Sequence, residues 1–447
     1  MTKIQHDYEF LTPFGFLKGK IQNRVVKFCG IRYAISARYQ LPKPVSPQEA
    51  FQQLSPKPVV CPQQIYPLLE EMIQPSVPDD FVVDESCQFL SVTLPENFQK
   101  LENIPVVVWI HGGSYEIGAG DLPTSDPSVW VHEQQIVVVT VTYRLGLFGF
   151  LGDALSRPAN LGLLDIIEGL KWVRQYISIF NGDPENITLL GQSSGGDAVA
   201  HLMIAEVEEP LFHKAIIQSA PLGLRKNRSR MYEEMAEKIL DIKKDQTIEK
   251  LFEQQKMVIP SIKKYGWKAL MPFGLQYGKS PLPLEITTEQ LWRKNAKNYK
   301  VLIGLNHDET AFYLLSHNKH WLHKMRLGKK LIKQAVRFST EKIYGRPARK
   351  FAENLALGGQ DVHLFRIYST FGNKIGAAHC FDLPLLFGDE KTWKNAGLLK
   401  EIPYEELRKQ GKILRFFWAD FMRTGQLPIN ESKPEFLKWE KILGAEK

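Results

Sequence analysis

The chain has 447 residues, 44% hydrophobic and 24% charged, enough apolar sequence for a large buried core and too much for a disordered or fibrous protein. Its longest apolar runs, 104–110 and 136–141, are far too short to cross a bilayer, and its N-terminal MTKIQHDYEF lacks the apolar stretch of a secretory signal, so no membrane span and a cytoplasmic location are expected. The net charge of +8 is spread along the chain, clusters such as Arg225-Lys226-Asn227-Arg228 and Lys329-Lys330 read as solvated surface rather than a nucleic-acid footprint, and four cysteines make no disulfide scaffold.

The first hundred residues read as short strands and loops, ending in a strand over 89–94. A central strand over 106–110 follows and runs into His111-Gly112-Gly113-Ser114-Tyr115. Glycines directly after a buried strand let the backbone turn its N–H groups inward, which is the composition an anion-stabilising loop needs. Another apolar strand covers 136–143. Residues 160–180 read as a helix, with Ile166, Leu170, Val173 and Ile177 on one face. Asn181-Gly182-Asp183-Pro184 ends it.

The next stretch, ITLLGQSSGGDAVAHLMIA, is a β-type run, a tight turn of small residues and a helix. Gly191, Ser193 and Gly195 spell G-x-S-x-G, which lifts a serine clear of a sheet on a strained turn. The pattern alone is weak, but strand before and helix after is the setting it requires. One more strand covers 214–218. From 222 to 273 the sequence turns charged and helical, the character of an inserted cap. Strands return at 301–303, followed by Asp308 and Glu309, and at 362–368, followed by a Gly/Ala-rich loop carrying His379. An amphipathic helix over 405–423 closes the chain. No repeat or long linker divides it, so a single domain over 1–447 is expected: α/β, with a large, mostly parallel sheet covered by helices on both faces.

An acid and then a histidine, in loops after two successive strands, are where one sheet edge could gather them beside Ser193. Asp308 and Glu309 are both candidates for the acid on this ground.

These landmarks together resemble the type-B carboxylesterases, the family that includes the cholinesterases. FCGIRYA is similar to the family's F-x-G-I-P-Y-A, and DESCQFLSVTLP to its S-E-D-C-L-x-L-N-V-x-x-P. WIHGGS is similar to W-I-H-G-G-G, and VTVTYRLGLFGFL to V-x-V-N-Y-R-L-G-x-x-G-F-L. FNGDPENITLLGQSSGG tracks F-G-G-D-P-x-x-V-T-x-x-G-E-S-A-G-G, and GLNHDE and GAAHCFDLPLLFG match the last two landmarks. The resemblance implies an α/β-hydrolase fold with a Ser193, Glu309 and His379 triad, and it favours Glu309 over Asp308. It implies oxyanion donors from the backbone of Gly113 and Ser114, with Ser194 supplying a third. His111, Gly112 and Gln192 would shape the site. The reaction implied is hydrolysis of small to medium uncharged carboxylic esters through an acyl-enzyme, with no metal or organic cofactor.

Asp382 reads as a helix-capping or loop-ordering carboxylate. Arg144 with Glu85 resembles the family's structural ion pair. Cys61 and Cys87 match positions bridged in secreted relatives and are expected free in a reducing compartment. Cys380 reads as a small packing residue. Two departures stand out: the family's G-E-S-A-G is G-Q-S-S-G here. Gln192 removes a negative charge beside the site, which disfavours cationic substrates. The Ser194 hydroxyl is expected to compete for His379. The competing readings are a non-catalytic binding protein of the same family, or the same triad used for acyl transfer or for amide or lactone hydrolysis.

Overall fold

A computed structural model describes residues 6–64, 66–74, 77–153, 156–239, 246–315, 326–428 and 434–444. Its centre is an eleven-stranded sheet. In chain order the strands are β1 (His6–Thr12), β2 (Gly15–Gln22), β3 (Val25–Arg32), β4 (Phe89–Pro95), β5 (Ile104–Ile110) and β6 (Val137–Val141). They continue with β7 (Gly182–Gln192), β8 (Lys214–Gln218), β9 (Lys300–Asn306), β10 (Val362–Ile367) and β11 (Leu437–Ile442). The spatial order is β1-β2-β3-β4-β6-β5-β7-β8-β9-β10-β11. From β6 through β10 every pairing is parallel, and antiparallel strands close both edges.

Parallel strands need crossovers, which lay helices on both faces, and this explains why the central strands read as unbroken apolar runs. In β5, Val106, Val108 and Ile110 enter one core layer and Val107 and Trp109 the other. Helices α1 (Leu161–Tyr176) and α2 (Ser194–Leu202) fill the first layer through Leu163, Ile166, Leu170, Ala198 and Val199. The second is filled by α3 (Tyr404–Thr424), through Leu414, Phe417, Trp418 and Phe421. Its apolar stripe recurs at three- and four-residue spacing, and it ends at Gly425 in the left-handed conformation, φ 72°.

The sequence-predicted elements are present with shifted ends. The elbow strand begins at Gly182, five residues before Ile187, where its apolar run starts in the sequence, and the last turn of the 160–180 helix is a 3₁₀ segment, Ile177–Phe180. Within 222–273 the described residues form the helices Ser229–Glu237 and Ile248–Val258 and a 3₁₀ stretch, Ile259–Leu270. No helix among the described residues is long and apolar enough to cross a membrane.

The Arg144–Glu85 pairing is corrected. Arg144 reaches Asp165 on α1 with two bonds, Nε to Oδ2 at 2.8 Å and Nη2 to Oδ1 at 2.7 Å, both groups fully buried. Glu85 is held by Arg38 instead. The chain leaves β6 directly over the start of α1, so the inward-facing Asp165 meets the guanidinium there. Cys61 and Cys87 are buried free thiols, and Cys61 Sγ accepts the Leu145 N–H at 3.2 Å.

Candidate active site

Ser193 stands between the end of β7 and the first turn of α2, with φ 56° and ψ −126°. A non-glycine residue in that region is strained by about 1–3 kcal/mol and persists only where its surroundings hold it. Here the Ser193 N–H is bonded to Gln218 O at 2.9 Å, and the turn packs too closely for larger neighbours. A Cβ on Gly195 would lie 2.1 Å from Ile110 O, and one on Gly191 2.3 Å from Gly195 O. The two glycines of the motif are therefore demanded by contact with neighbouring backbone.

Glu309 and His379 come from the loops after β9 and β10 and meet the serine at the sheet's C-terminal edge. His379 Nε2 lies 2.8 Å from Ser193 Oγ, and His379 Nδ1 lies 2.5 Å from Glu309 Oε2. Glu309 is fully buried, and its Oε1 accepts the Asn306 N–H at 2.7 Å. The His379 N–H in turn donates to Glu309 O at 3.0 Å, so backbone and side chain fix the pair together. Asp308 points elsewhere: its carboxylate accepts the Ala377 N–H at 3.2 Å and orders the loop that carries His379. Asp382 accepts from Gln218 Nε2 at 2.5 Å and Asn306 Nδ2 at 3.0 Å, tying together the ends of β8 and β9. Burial, reinforced by the nearby Glu309 charge, pushes its carboxyl up to about 6.

The loop after β5 lies against the serine, since a Cβ on Gly112 would be 3.0 Å from Ser193 Cβ. Among the described residues, the N–H groups of Gly113 and Ser114 have no acceptor. His111 donates from Nδ1 to Gly112 O at 2.8 Å and stacks on Tyr143 at 4.3 Å. Burial lowers His111 to about 4, so it stays neutral. Gln192 donates to Cys380 Sγ at 3.6 Å, and burial raises that thiol well above its ordinary value, leaving it a protonated packing group. The Ser194 hydroxyl does not compete for His379. It accepts the Tyr115 N–H at 3.2 Å instead.

Ser193, His379, Gly112, Gly113, Ser114 and Gln192 line one cleft of about 610 Å³, open at its mouth. Its remaining wall is mainly apolar, from Leu69, Ile73, Trp109, Ile117, Leu122 and Leu383, and among the described residues no Lys, Arg, Asp or Glu lines it. Sequence reasoning missed this wall, since Leu69 and Ile73 come from a short helix, Pro67–Ile73, that carries no motif. It also missed Tyr115 and Asp197, joined at 2.8 Å beneath the loop. Chemically, a hydroxyl bonded to an imidazole whose other nitrogen meets a buried carboxylate can pass its proton to the ring.

The model of the carboxylesterase family matches residues 7–324. A Rhodococcus erythropolis protein, described as a probable N-octanoylanthranilate hydrolase, is 32% identical over 423 residues, 93% of this chain and 92% of that protein. The para-nitrobenzyl esterase of Bacillus subtilis (strain 168) is 38% identical over 215 residues, 46% of this chain and 42% of that protein. A solved structure of a PNB esterase superposes with a TM-score of 0.75 at 26% identity, covering 95% of this chain and 92% of that one. The sheet order, the elbow and these likenesses agree: the chain belongs to the carboxylesterase family, has the α/β-hydrolase fold and is a carboxylic ester hydrolase.

Proposed function

We propose that hydrolysis proceeds through an acyl-enzyme on Ser193, with His379 as general base and acid and Glu309 as the group that orients and stabilises its imidazolium. The observation that carries this reading is the pair of contacts at His379, 2.8 Å to Ser193 Oγ and 2.5 Å to Glu309 Oε2. Ser193 Oγ attacks the ester carbonyl while His379 Nε2 takes its proton. The tetrahedral oxyanion is held by the N–H groups of Gly113, Ser114 and Ser194. Its collapse expels the alcohol, which receives the proton from His379. Water then repeats the cycle in reverse and frees the acid. Strong oxyanion donors of this kind each contribute roughly 10²–10³ in rate.

The wall that the described residues give the cleft is apolar and carries no Lys, Arg, Asp or Glu, which supports an uncharged substrate with an apolar acyl chain, since an ion against it would be desolvated without a partner. The relative named for an octanoyl amide supports medium chain length and favours a second reading, in which the same serine also cleaves N-acyl arylamides. The deciding experiment is a p-nitrophenyl ester series from C2 to C12, with the matching p-nitroanilides, alongside a fluorophosphonate label located by peptide mapping. A label on Ser193 with hydrolysis rising toward medium chains supports the proposal. A label elsewhere refutes it.

A further inference from the structure

We propose that Tyr115 and Ser194 are positioning residues that clamp the loop 112–115 to the start of α2, keeping its N–H groups aimed at the oxygen of the reacting carbonyl. The proposal rests on the reading of Ser193 as nucleophile and of this loop as the source of oxyanion donors.

The loop adopts a strained backbone, closed on itself by the Glu116 and Ile117 N–H groups, which donate to Gly113 O at 2.9 and 3.1 Å. Gly113 has φ 108°, and the two residues after it, Ser114 and Tyr115, sit at φ 58° and 61° in the left-handed region. Two consecutive side-chain-bearing residues there are strained, and the turn's own bonds do not fix where it sits relative to the serine. Three further bonds anchor it to its surroundings, and all of them end on Tyr115. Its N–H donates to Ser194 Oγ at 3.2 Å, its hydroxyl to Asp197 Oδ2 at 2.8 Å, and its carbonyl accepts the Gly146 N–H at 2.7 Å. Tyr115 and Ser194 are fully buried, so water does not substitute for these partners.

Two of the three bonds run to the helix that begins at the nucleophile. Ser194 is the next residue after Ser193, and the Asp197 N–H donates to Ser193 O at 3.0 Å. The loop and the serine are thereby referenced to one rigid element. The backbone at Asp197 is braced from behind. His201 Nδ1 donates to Asp197 O at 2.7 Å, and His201 Nε2 accepts from Tyr277 Oη at 2.6 Å. Arg225 Nη1 then donates to that phenol oxygen at 3.3 Å. Burial lowers His201, keeping the ring neutral and in the one tautomer this chain of bonds allows. Burial and the neighbouring Asp197 hold the Tyr115 phenol far above its ordinary range, so it remains a donor. The hydroxyl at 194 stands where the type-B signature has alanine, so the clamp comes with this chain's own departure from the pattern.

The test compares Tyr115→Phe and Ser194→Ala with the conservative Ser194→Thr, counting active sites with the fluorophosphonate label. Two ligands separate ground state from transition state: an aliphatic trifluoromethyl ketone, whose adduct carries an alkoxide at the oxyanion position, and the matching methyl ketone. Each deletion is expected to lower kcat on p-nitrophenyl butyrate about tenfold, with KM within about twofold, because sub-ångström misplacement of donors falls on the transition state. Trifluoromethyl ketone affinity is expected to fall by a similar factor and methyl ketone affinity to hold, with Ser194→Thr restoring both. If kcat per labelled site and ketone affinities stay within twofold while only the melting temperature drops, the clamp is structural and the proposal is overturned. A parent enzyme that binds the two ketones equally would instead overturn the oxyanion reading beneath it.

Discussion

The Oγ of Ser193 and the Nε2 of His379 are 186 residues apart in sequence and 2.8 Å apart in space. On the proposed mechanism, that contact gives the proton of a poor nucleophile somewhere to go. Replacing Ser193 with alanine is expected to lower turnover of a short p-nitrophenyl ester by about 10⁴-fold or more and to abolish fluorophosphonate labelling. Retained turnover in a correctly folded variant would place the chemistry elsewhere.

The two adjacent acids make a sharper comparison. Glu309→Gln presents an amide to His379 Nδ1, disturbs the tautomer and is expected to reduce kcat by about 10³–10⁴. Asp308→Asn alters only a bond to the Ala377 N–H and is expected to keep kcat within about tenfold. Steady-state kinetics of both variants decide between them; equal losses would mean that loop order, not the carboxylate facing His379, sets the rate.

Chain-length preference should follow the apolar wall. Ala119 is fully buried and lines the cleft beside Ile117 and Leu122. Ala119→Trp is expected to reduce kcat/KM for C8 relative to C2 esters by at least about tenfold, since each excluded methylene forfeits about 0.8 kcal/mol. An unchanged C8/C2 ratio would put the acyl chain in another part of the cleft.

Glu116 offers a pH test of stability. Burial raises its carboxyl to about 7, against the lowering effect of the Tyr66 hydroxyl that donates to it at 2.9 Å. With an ordinary value of 4.5 when unfolded, the folded state retains a proton that the unfolded chain releases between pH 4.5 and 7. Its contribution is therefore complete below pH 4.5, shrinks as pH rises and is gone above 7. Glu116→Gln cannot ionise, so it is expected to raise stability relative to the parent at pH 8, by no more than about 3 kcal/mol, and to leave it unchanged near pH 4.5. Urea melts at the two pH values measure the difference; a gain of equal size at both would remove ionisation as its cause.

The corrected ion pairs can also be separated. Arg144→Met leaves Asp165 charged, buried and short of its main partner, and is expected to cost about 3–5 kcal/mol. Arg38→Met opens a partly exposed pair with Glu85 and is expected to cost about 1 kcal/mol or less. Equal losses in denaturant melts would contradict this assignment of partners.

The sequence by itself determined what depends on local chemistry. Runs such as 104–110 read as strands buried on both faces because no polar residue interrupts them, and G-x-S-x-G read as a strand-to-helix elbow because its glycines leave room for neighbouring backbone. The family resemblance extended that reading to Glu309 and His379, whose loops follow two successive parallel strands. Tertiary structure alone decided which charged groups meet. Arg144 found Asp165 rather than Glu85, because partner choice depends on how α1 lies over β6. The hydroxyl of Ser194 turned to the Tyr115 N–H, because a side chain bonds to what packs against it and not to what its motif suggests. The apolar wall from Leu69 and Ile73, and the Tyr115–Asp197 contact, join residues whose separation along the chain leaves no periodic trace. Their closeness is set by packing across the sheet edge, which local pattern does not encode.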